Sequence, residues 1–204
     1  MDVEFRRIGD RRYAVIAVVS GRPTLEMNPA PGYDVRLPHD LLHFVVEREL
    51  GIRHGIFGQL AAGGTAGTFR PISTSAAVGR EGARQRRALA KRGAKLLQQG
   101  RADSVESEHA ADTCLRAWTA HAAGREFTAR QDLPYSALEL ARVCNALEEV
   151  SCAWTKLLVG QALTLHWPDT RPVPRGIAPA RPNKSDRSGR SVFRIKRDRG
   201  EGVQ

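Results

Sequence analysis

The sequence predicts an α+β fold, in which a small antiparallel N-terminal sheet packs on a buried helix at about residues 38–50. A helical hairpin and a basic, partly disordered tail are expected to follow. Three observations predict this arrangement. Short apolar runs around a tight turn open the chain, apolar residues recur at helical spacing further on, and the last segment is rich in Pro and Arg. The composition, with 41% hydrophobic and 26% charged residues in 204, is typical of a globular protein.

Two strands are predicted at residues 3–8 and 12–19, on either side of Gly9-Asp10, because this dipeptide favours a hairpin turn. The second strand is apolar without interruption from residue 14 to 19, which is typical of a central strand covered on both faces. A further short strand is predicted near residues 24–27, in a segment broken by prolines.

The helix at 38–50 is the best specified element of the chain. Pro38 suits the first helical position, Asp40 places negative charge in the first turn, and Gly51 is a typical C-terminal stop. One broad apolar face is formed by Leu41, Leu42, Val45, Val46 and Leu50. We therefore expect a largely buried helix with a single polar edge.

That polar edge carries His39, His43 and Glu47, which are spaced one helical turn apart. His39, Asp40 and His43 have the HDxxH spacing, which resembles the HExxH motif of zincins with Asp in place of Glu. The resemblance implies His39 and His43 as metal ligands and Asp40 as a general base. Glu47 lies too far along the axis to share an ion with His39, and is expected to orient His43 instead. The third ligand is left open between His109, His121 and His166.

The same edge has a purely structural interpretation, which the sequence favours. A histidine at the margin of a buried helix is usually packed and hydrogen-bonded, and His43 with Glu47 is an ordinary i, i+4 pair. On that interpretation no cofactor is bound. Zinc or a similar divalent ion is the alternative.

The positive charge is concentrated in two segments. The chain has a net charge of +10, and residues 80–101 and 171–204 each carry a net +7. A helix is predicted at 81–99, with a basic stripe of Arg84, Arg87, Lys91 and Lys95. Such a stripe can bind an acidic macromolecule, either nucleic acid or an acidic protein, or can simply be a solvated face. No aromatic residue lies among these charges, so base stacking is not predicted.

Two longer helices are predicted at 103–123 and 134–161, and a short strand at 162–167. The predicted organisation is an α/β core at 1–62, a Gly/Ser-rich linker at 63–80, a helical region at 81–167 and a basic tail at 168–204. A terminal strand is placed at 191–196 in that tail. The glycine-rich residues 63–68 lack the spacing of a phosphate-binding loop, so a flexible linker is the favoured interpretation.

The remaining features restrict the function only broadly. Three cysteines without CxxC spacing are expected to be buried small side chains rather than a disulfide framework. No apolar run is long enough for a membrane span, and the N-terminus does not resemble a secretory signal, so a cytoplasmic protein is expected. The favoured function is that of a non-enzymatic binding or regulatory protein whose basic segments engage an acidic macromolecule. The alternative is a metal-dependent hydrolase centred on His39 and His43 of the HDxxH helix, with Asp40 or Glu47 acting as the base or supporting the metal ligands.

Overall fold

The computed structural model describes residues 1–72, 80–129, 134–168 and 195–197. It has an α+β fold, as predicted, with a five-stranded antiparallel sheet and five helices in the described part of the chain. The strands and helices, in chain order, are β1 (Asp2–Gly9), β2 (Arg12–Val18), β3 (Leu25–Ala30), α1 (His39–Leu50), α2 (Ile56–Ala61), β4 (Arg70–Pro71), α3 (Arg80–Gln99), α4 (Arg101–Ala122), β5 (Phe127–Ala129), α5 (Ala137–Thr155), β6 (Ala162–His166) and β7 (Ile195–Arg197).

The main sheet has the strand order β4-β3-β2-β1-β6. The predicted hairpin between β1 and β2 is confirmed, with Gly9 opposite Arg12 at its turn. The strand predicted after the helical region is also confirmed, since β6 pairs antiparallel with β1 from Asp2 opposite His166 to Arg6 opposite Ala162. The sheet therefore combines the beginning of the chain with residues more than 150 positions later.

One face of this sheet forms the core. Because side chains alternate along a strand, Val3 and Phe5 of β1 and Tyr13 and Val15 of β2 point to the same side, and all four are fully buried. β2 is a central strand, as predicted, but its second face is covered only at Ala14, which is 2% exposed. On this face Ile16 is only half-buried between Glu4 and Glu26, and Val18 is 47% exposed.

Helix α1 covers the buried face of the sheet and confirms the predicted interior helix. Pro38 precedes it in an extended conformation and is the cap rather than the first helical residue. Gly51 ends it with a φ of +69°, a conformation that glycine adopts without steric cost. All residues from 40 to 47 are buried. The ring of Phe44 packs edge-on against Phe5, with 5.7 Å between ring centroids.

Helices α4 and α5 pack against each other and against α1. Helix α5 begins with a capping box, in which the Ser136 side chain accepts from the Glu139 backbone N–H and the Glu139 carboxylate accepts from Ser136 N–H. It ends at Thr155, six residues earlier than predicted. The turn that follows is anchored to β1 by two backbone hydrogen bonds, from Gly160 N–H to Arg7 C=O and from Arg7 N–H to Gln161 C=O.

The segments predicted as linker and tail are described only in part. Within the predicted linker at 63–80, β4 pairs with β3 and Phe69 is buried, while residues 73–79 lie outside the described residues. Of the predicted tail, residue 168 and β7 are described, and β7 pairs parallel with β5. Residues 191–194 of the predicted terminal strand lie outside the described part.

Cys114 and Cys144 are buried as predicted, whereas Cys152 is exposed. Among the described residues, no helix has the length and apolar character needed to cross a bilayer.

Candidate functional site

The polar edge of α1 faces α4, and three potential metal ligands meet there. One ligand atom from each of His39, His43 and Glu108 lies within 4.8 Å of the other two. His43 Nε2 lies 3.6 Å from a carboxylate oxygen of Glu108. His43 is fully buried, while His39 and Glu108 are exposed, so the cluster extends from the interior to the surface.

The two imidazoles occupy successive turns of α1, with 4.5 Å between ring centroids. The backbone of His39 is held by the turn that precedes α1, because His39 N–H donates to the carbonyl of Gly32 at 3.0 Å. Gly32 has a φ of +69°, and a Cβ there would lie 2.6 Å from His39 Cβ. This turn therefore needs glycine both for its backbone conformation and for the close approach of the histidine.

The other nitrogen of His43 is bonded in the interior. Nδ1 lies 3.0 Å from Ser107 Oγ, and the Ser107 hydroxyl donates to Glu47 Oε1 at 2.8 Å. An ionised Glu47 can only accept, so the Ser107 hydroxyl donates to it; the Ser107 oxygen then accepts from His43, and Nδ1 carries the imidazole hydrogen. Nε2 then presents a lone pair towards His39 and Glu108. This buried atom has no hydrogen-bond partner among the described residues.

Burial holds His43 in the neutral form that a metal requires. Burial lowers its pKa to about 4, with a smaller contribution from repulsion by His39 and an opposing one from Glu108. At neutral pH the imidazole is uncharged, and its Nε2 lone pair is available for coordination.

Glu47 is an interior carboxylate that joins α1 to α2. Its two oxygens accept backbone N–H groups at the start of α2, from Ile56 at 2.8 Å and Phe57 at 2.9 Å. Burial raises its pKa to about 7, against the opposing effect of the hydrogen bonds from Ser107 and from α2. A Cβ at Gly55 would lie 2.3 Å from Glu47 Oε1, so the chain before α2 can approach this carboxylate only at a glycine.

Asp40 is buried on another side of α1 and is not one of the three clustered donors. The hydroxyl of Tyr13 donates to its carboxylate and lies 2.5 Å from the carbonyl of Pro31. Burial raises the pKa values of both Asp40 and Tyr13. The structure thus joins this carboxyl group to the sheet. Its predicted role as a base stays a prediction.

None of the histidines considered as a third ligand contributes to the cluster. His166 is exposed on β6 and pairs with Asp2 at 2.8 Å, and His109 and His121 are exposed on α4. The third donor is the neighbour of His109, Glu108, which a search restricted to histidines missed. Carboxylates are ordinary ligands for zinc, so an acidic residue next to a candidate histidine was the available signal.

No protein-family model, curated protein or solved structure matches this chain. The chemistry of the site is therefore inferred from its donor atoms and their surroundings. A tetrahedral zinc ion with bonds of about 2.0–2.2 Å holds its ligand atoms roughly 3.3–3.6 Å apart. His43 and Glu108 already have that separation, and the widest pair in the cluster is within 4.8 Å. The side chains of His39 and Glu108 are exposed, so both have room to rotate by the small amount that a tetrahedral ion would require.

The predicted basic stripe lies on a different part of the molecule. Arg84, Arg87, Lys91 and Lys95 are all exposed on α3, which contacts α2 and α4. The stripe and the His39, His43 and Glu108 cluster are therefore carried by different helices and can be tested separately.

Proposed function

We propose that this protein binds a divalent transition-metal ion of the zinc type through His39, His43 and Glu108. The observation that carries the proposal is the Nε2 atom of His43, which is buried, faces two other donors and has no hydrogen-bond partner among the described residues. Leaving such an atom unsatisfied costs about 1–3 kcal/mol. A bound ion would remove that cost.

The donor set and its support favour zinc or a similar ion. Two imidazoles with one carboxylate are the ligands of many catalytic zinc sites, and imidazole is a poor ligand for calcium or magnesium. The hydrogen bond from His43 Nδ1 to Ser107, and from Ser107 to Glu47, fixes the ring and its tautomer. Partners of this kind usually orient metal-bound histidines. This is the orienting role predicted for Glu47, with the Ser107 hydroxyl as an intermediary.

The reaction class that such a site would support is metal-assisted hydrolysis, as proposed for the HDxxH helix. Three protein donors leave a fourth coordination position for water, and the exposure of His39 and Glu108 lets water reach it. A zinc ion lowers the pKa of bound water to about 7. Glu47 is fully buried and Asp40 is bonded to Tyr13, so the arrangement favours positioning roles for both carboxylates over proton transfer.

The metal proposal is tested with tag-free protein by titrating Zn²⁺ against a chromophoric chelator, and by the visible spectrum of Co²⁺. We expect one ion per chain and a Co²⁺ spectrum of low coordination number. His39→Ala and Glu108→Gln change exposed side chains, so the fold should persist while affinity falls at least tenfold, as expected for loss of a ligand. His109→Ala, next to the site on α4, is the matched control and should bind like the wild type.

Two results would overturn the metal proposal. One is the lack of stoichiometric binding at micromolar zinc in folded protein. The other is equal binding by the wild type and by the double variant His39→Ala/Glu108→Gln. If the ion binds but simple esters are not hydrolysed faster by loaded than by chelated protein, metal binding stands and the hydrolase assignment does not.

A second candidate function is binding of an acidic macromolecule, and α3 is the observation that favours it. Its four stripe residues are exposed and follow one side of a 20-residue helix. Such a helix can follow a line of phosphates or carboxylates, and each phosphate contact adds a salt-dependent contribution to the binding free energy. The exposure of the stripe supports this function without identifying the partner.

Charge reversal tests the second candidate. The triple variant Arg84→Glu/Arg87→Glu/Lys91→Glu should abolish binding to a fluorescent DNA duplex, and wild-type affinity should fall steeply between 50 and 200 mM salt. The control places the same change in charge elsewhere, at the exposed residues Arg11, Arg12 and Lys156. Equal losses in both triple variants would mean that net charge, rather than the stripe, is responsible.

A further inference from the structure

A cavity that opens to solvent and is unrelated to the metal cluster lies between the β2–β3 turn, the end of α2 and one side of α3. Its volume is about 570 Å³, within the range of small-molecule sites. The residues of α3 that line it are Gln85, Ala88, Leu89 and Arg92. These positions recur at helical spacing and form a different side of α3 from the exposed basic stripe.

Two guanidinium groups converge at the edge of this cavity. A Cβ at Gly63 would lie 2.3 Å from Arg22 Nη1 and 3.1 Å from Arg92 Nη1, so these two nitrogens lie within about 5.4 Å of each other. None of the described lining residues is acidic. Two like charges at this separation repel each other, and an anion between them would relieve that repulsion.

The close approach depends on Gly63. This residue has a φ of +88°, and its missing side chain leaves the space into which both arginines extend. Arg22 is also held by a hydrogen bond from Nη1 to the carbonyl of Ala61 at 3.1 Å. This hydrogen bond restrains the exposed Arg22 side chain near the cavity, which reduces the entropy lost when a ligand binds.

Apart from Gln85, the side chains that line the rest of the cavity are apolar. Leu25 and Leu60 are buried in its wall, and Leu89 is half-buried opposite them. The backbone amides of the neighbouring loop are already used, since Gly63 N–H donates to Leu60 and Gly64 N–H to Gln59. An anion here would therefore be held by the arginine side chains and not by a cradle of amides.

We propose that this cavity binds a small organic anion, with a carboxylate or phosphate group between Arg22 and Arg92 and an apolar body against the leucines. Guanidinium groups bind both of these anions through paired N–H donors, which point charges cannot reproduce. The apolar wall adds affinity for a ligand with a hydrocarbon or aromatic portion. The site is independent of the proposed metal.

The test uses the full chain in the presence of a metal chelator, with amide NMR spectra recorded during titration. Phenyl phosphate and benzoate carry both features of the ligand, inorganic phosphate carries only the anion, and phenol only the apolar body. We expect phenyl phosphate or benzoate to saturate shifts at the amides of Gly63 and Gly64 at millimolar concentration or below. Inorganic phosphate and phenol should each bind at least tenfold more weakly.

Variants on two sides of α3 decide whether the cavity is responsible for binding the anion. Arg92→Ala should weaken binding at least tenfold, whereas Arg87→Ala on the exposed stripe should leave it unchanged. Arg22→Lys keeps the charge but loses the paired donors and should also weaken binding. Unsaturable shifts, or equal affinity in the wild type and in Arg92→Ala, would overturn the proposal. Unchanged binding in His39→Ala would show that this site and the metal site are separate.

Discussion

The interior carboxyl group of Glu47 should contribute to the stability of this protein a pH dependence that is opposite to that of most carboxyl groups. Its pKa is about 7 in the folded protein, against an ordinary value of 4.5 in the unfolded chain. Below pH 4.5 the proton is bound in both states, and between pH 4.5 and 7 the folded state holds it more tightly. Glu47 therefore contributes stability that is fully present below pH 4.5 and is lost as the pH rises through 7.

The size of this effect follows from the two pKa values. It amounts to roughly 3 kcal/mol of unfolding free energy between pH 4.5 and 7.5. His43 acts in the opposite sense, because burial lowers its pKa from 6.5 to about 4. Its contribution is present above pH 6.5 and is lost as the pH falls towards 4. We expect the two slopes to offset each other in the wild type, so that this pair adds little pH dependence between 4.5 and 6.5.

Glu47→Gln removes one of the two slopes. The amide does not titrate, and it leaves one backbone N–H of α2 without an acceptor, a penalty of about 1–3 kcal/mol that does not vary with pH. The variant should be less stable than the wild type at pH 4.5, and this deficit should shrink by roughly 3 kcal/mol by pH 7.5, where the variant should be as stable as the wild type or more so. The contributions of the other titrating groups cancel when the variant is compared with the wild type at each pH.

The measurement is urea unfolding followed by tryptophan fluorescence at several pH values, with a chelator present to keep metal off the site. Glu149→Gln, at an exposed carboxylate of α5, is the matched control and should follow the wild-type pH profile. If the wild type and Glu47→Gln differ by the same free energy from pH 4.5 to 7.5, the assignment of a raised pKa to Glu47 is wrong.

Two further substitutions test the contacts around this carboxylate. Ser107→Ala should cost about 1–3 kcal/mol of unfolding free energy, because the buried Nδ1–H of His43 loses its acceptor. Thr119→Ala removes an exposed hydroxyl of the same helix and should change stability by less than about 0.5 kcal/mol in the same urea assay. Gly55→Ala places a methyl group 2.3 Å from a carboxylate oxygen and should cost about 1–3 kcal/mol. In Gly9→Ala the added methyl group would lie 3.6 Å from Arg12 Cβ, an ordinary contact distance. The thermal midpoint of this control variant should therefore stay close to that of the wild type. Equal losses within either pair would contradict these assignments.

The helices and strands whose start, spacing and end are all marked by nearby residues could be predicted from the sequence. Helix α1 was placed within one residue because its cap, its apolar spacing and the glycine at its end all lie within a few residues of one another. The first hairpin was predicted for the same reason, since its turn residues determine which strands meet. The end of α5 was misplaced because apolar residues continue beyond Thr155 at helical spacing, although the chain there turns back to meet β1.

The candidate site was only half predictable, because it joins residues distant in the chain. His39 and His43 belong to one helix, and their spacing of four residues predicts that they lie on the same face of it. Ser107 and Glu108 come from α4, and nothing local to either residue shows that α4 crosses the polar edge of α1. A hint lay in the buried face of α4, where Ala110, Ala111 and Cys114 recur at helical spacing. Extending that pattern by one turn reaches Ser107.

The position of β6 has a consequence for how the chain reaches its native state. β1 lies between β2 and β6, so until residues 162–166 have been synthesised, one side of β1 has no strand to pair with. Unpaired strand edges of this kind recruit other chains, and contacts between distant residues form slowly. A ribosome-bound or truncated chain that stops short of β6 should therefore self-associate far more readily than the full-length protein.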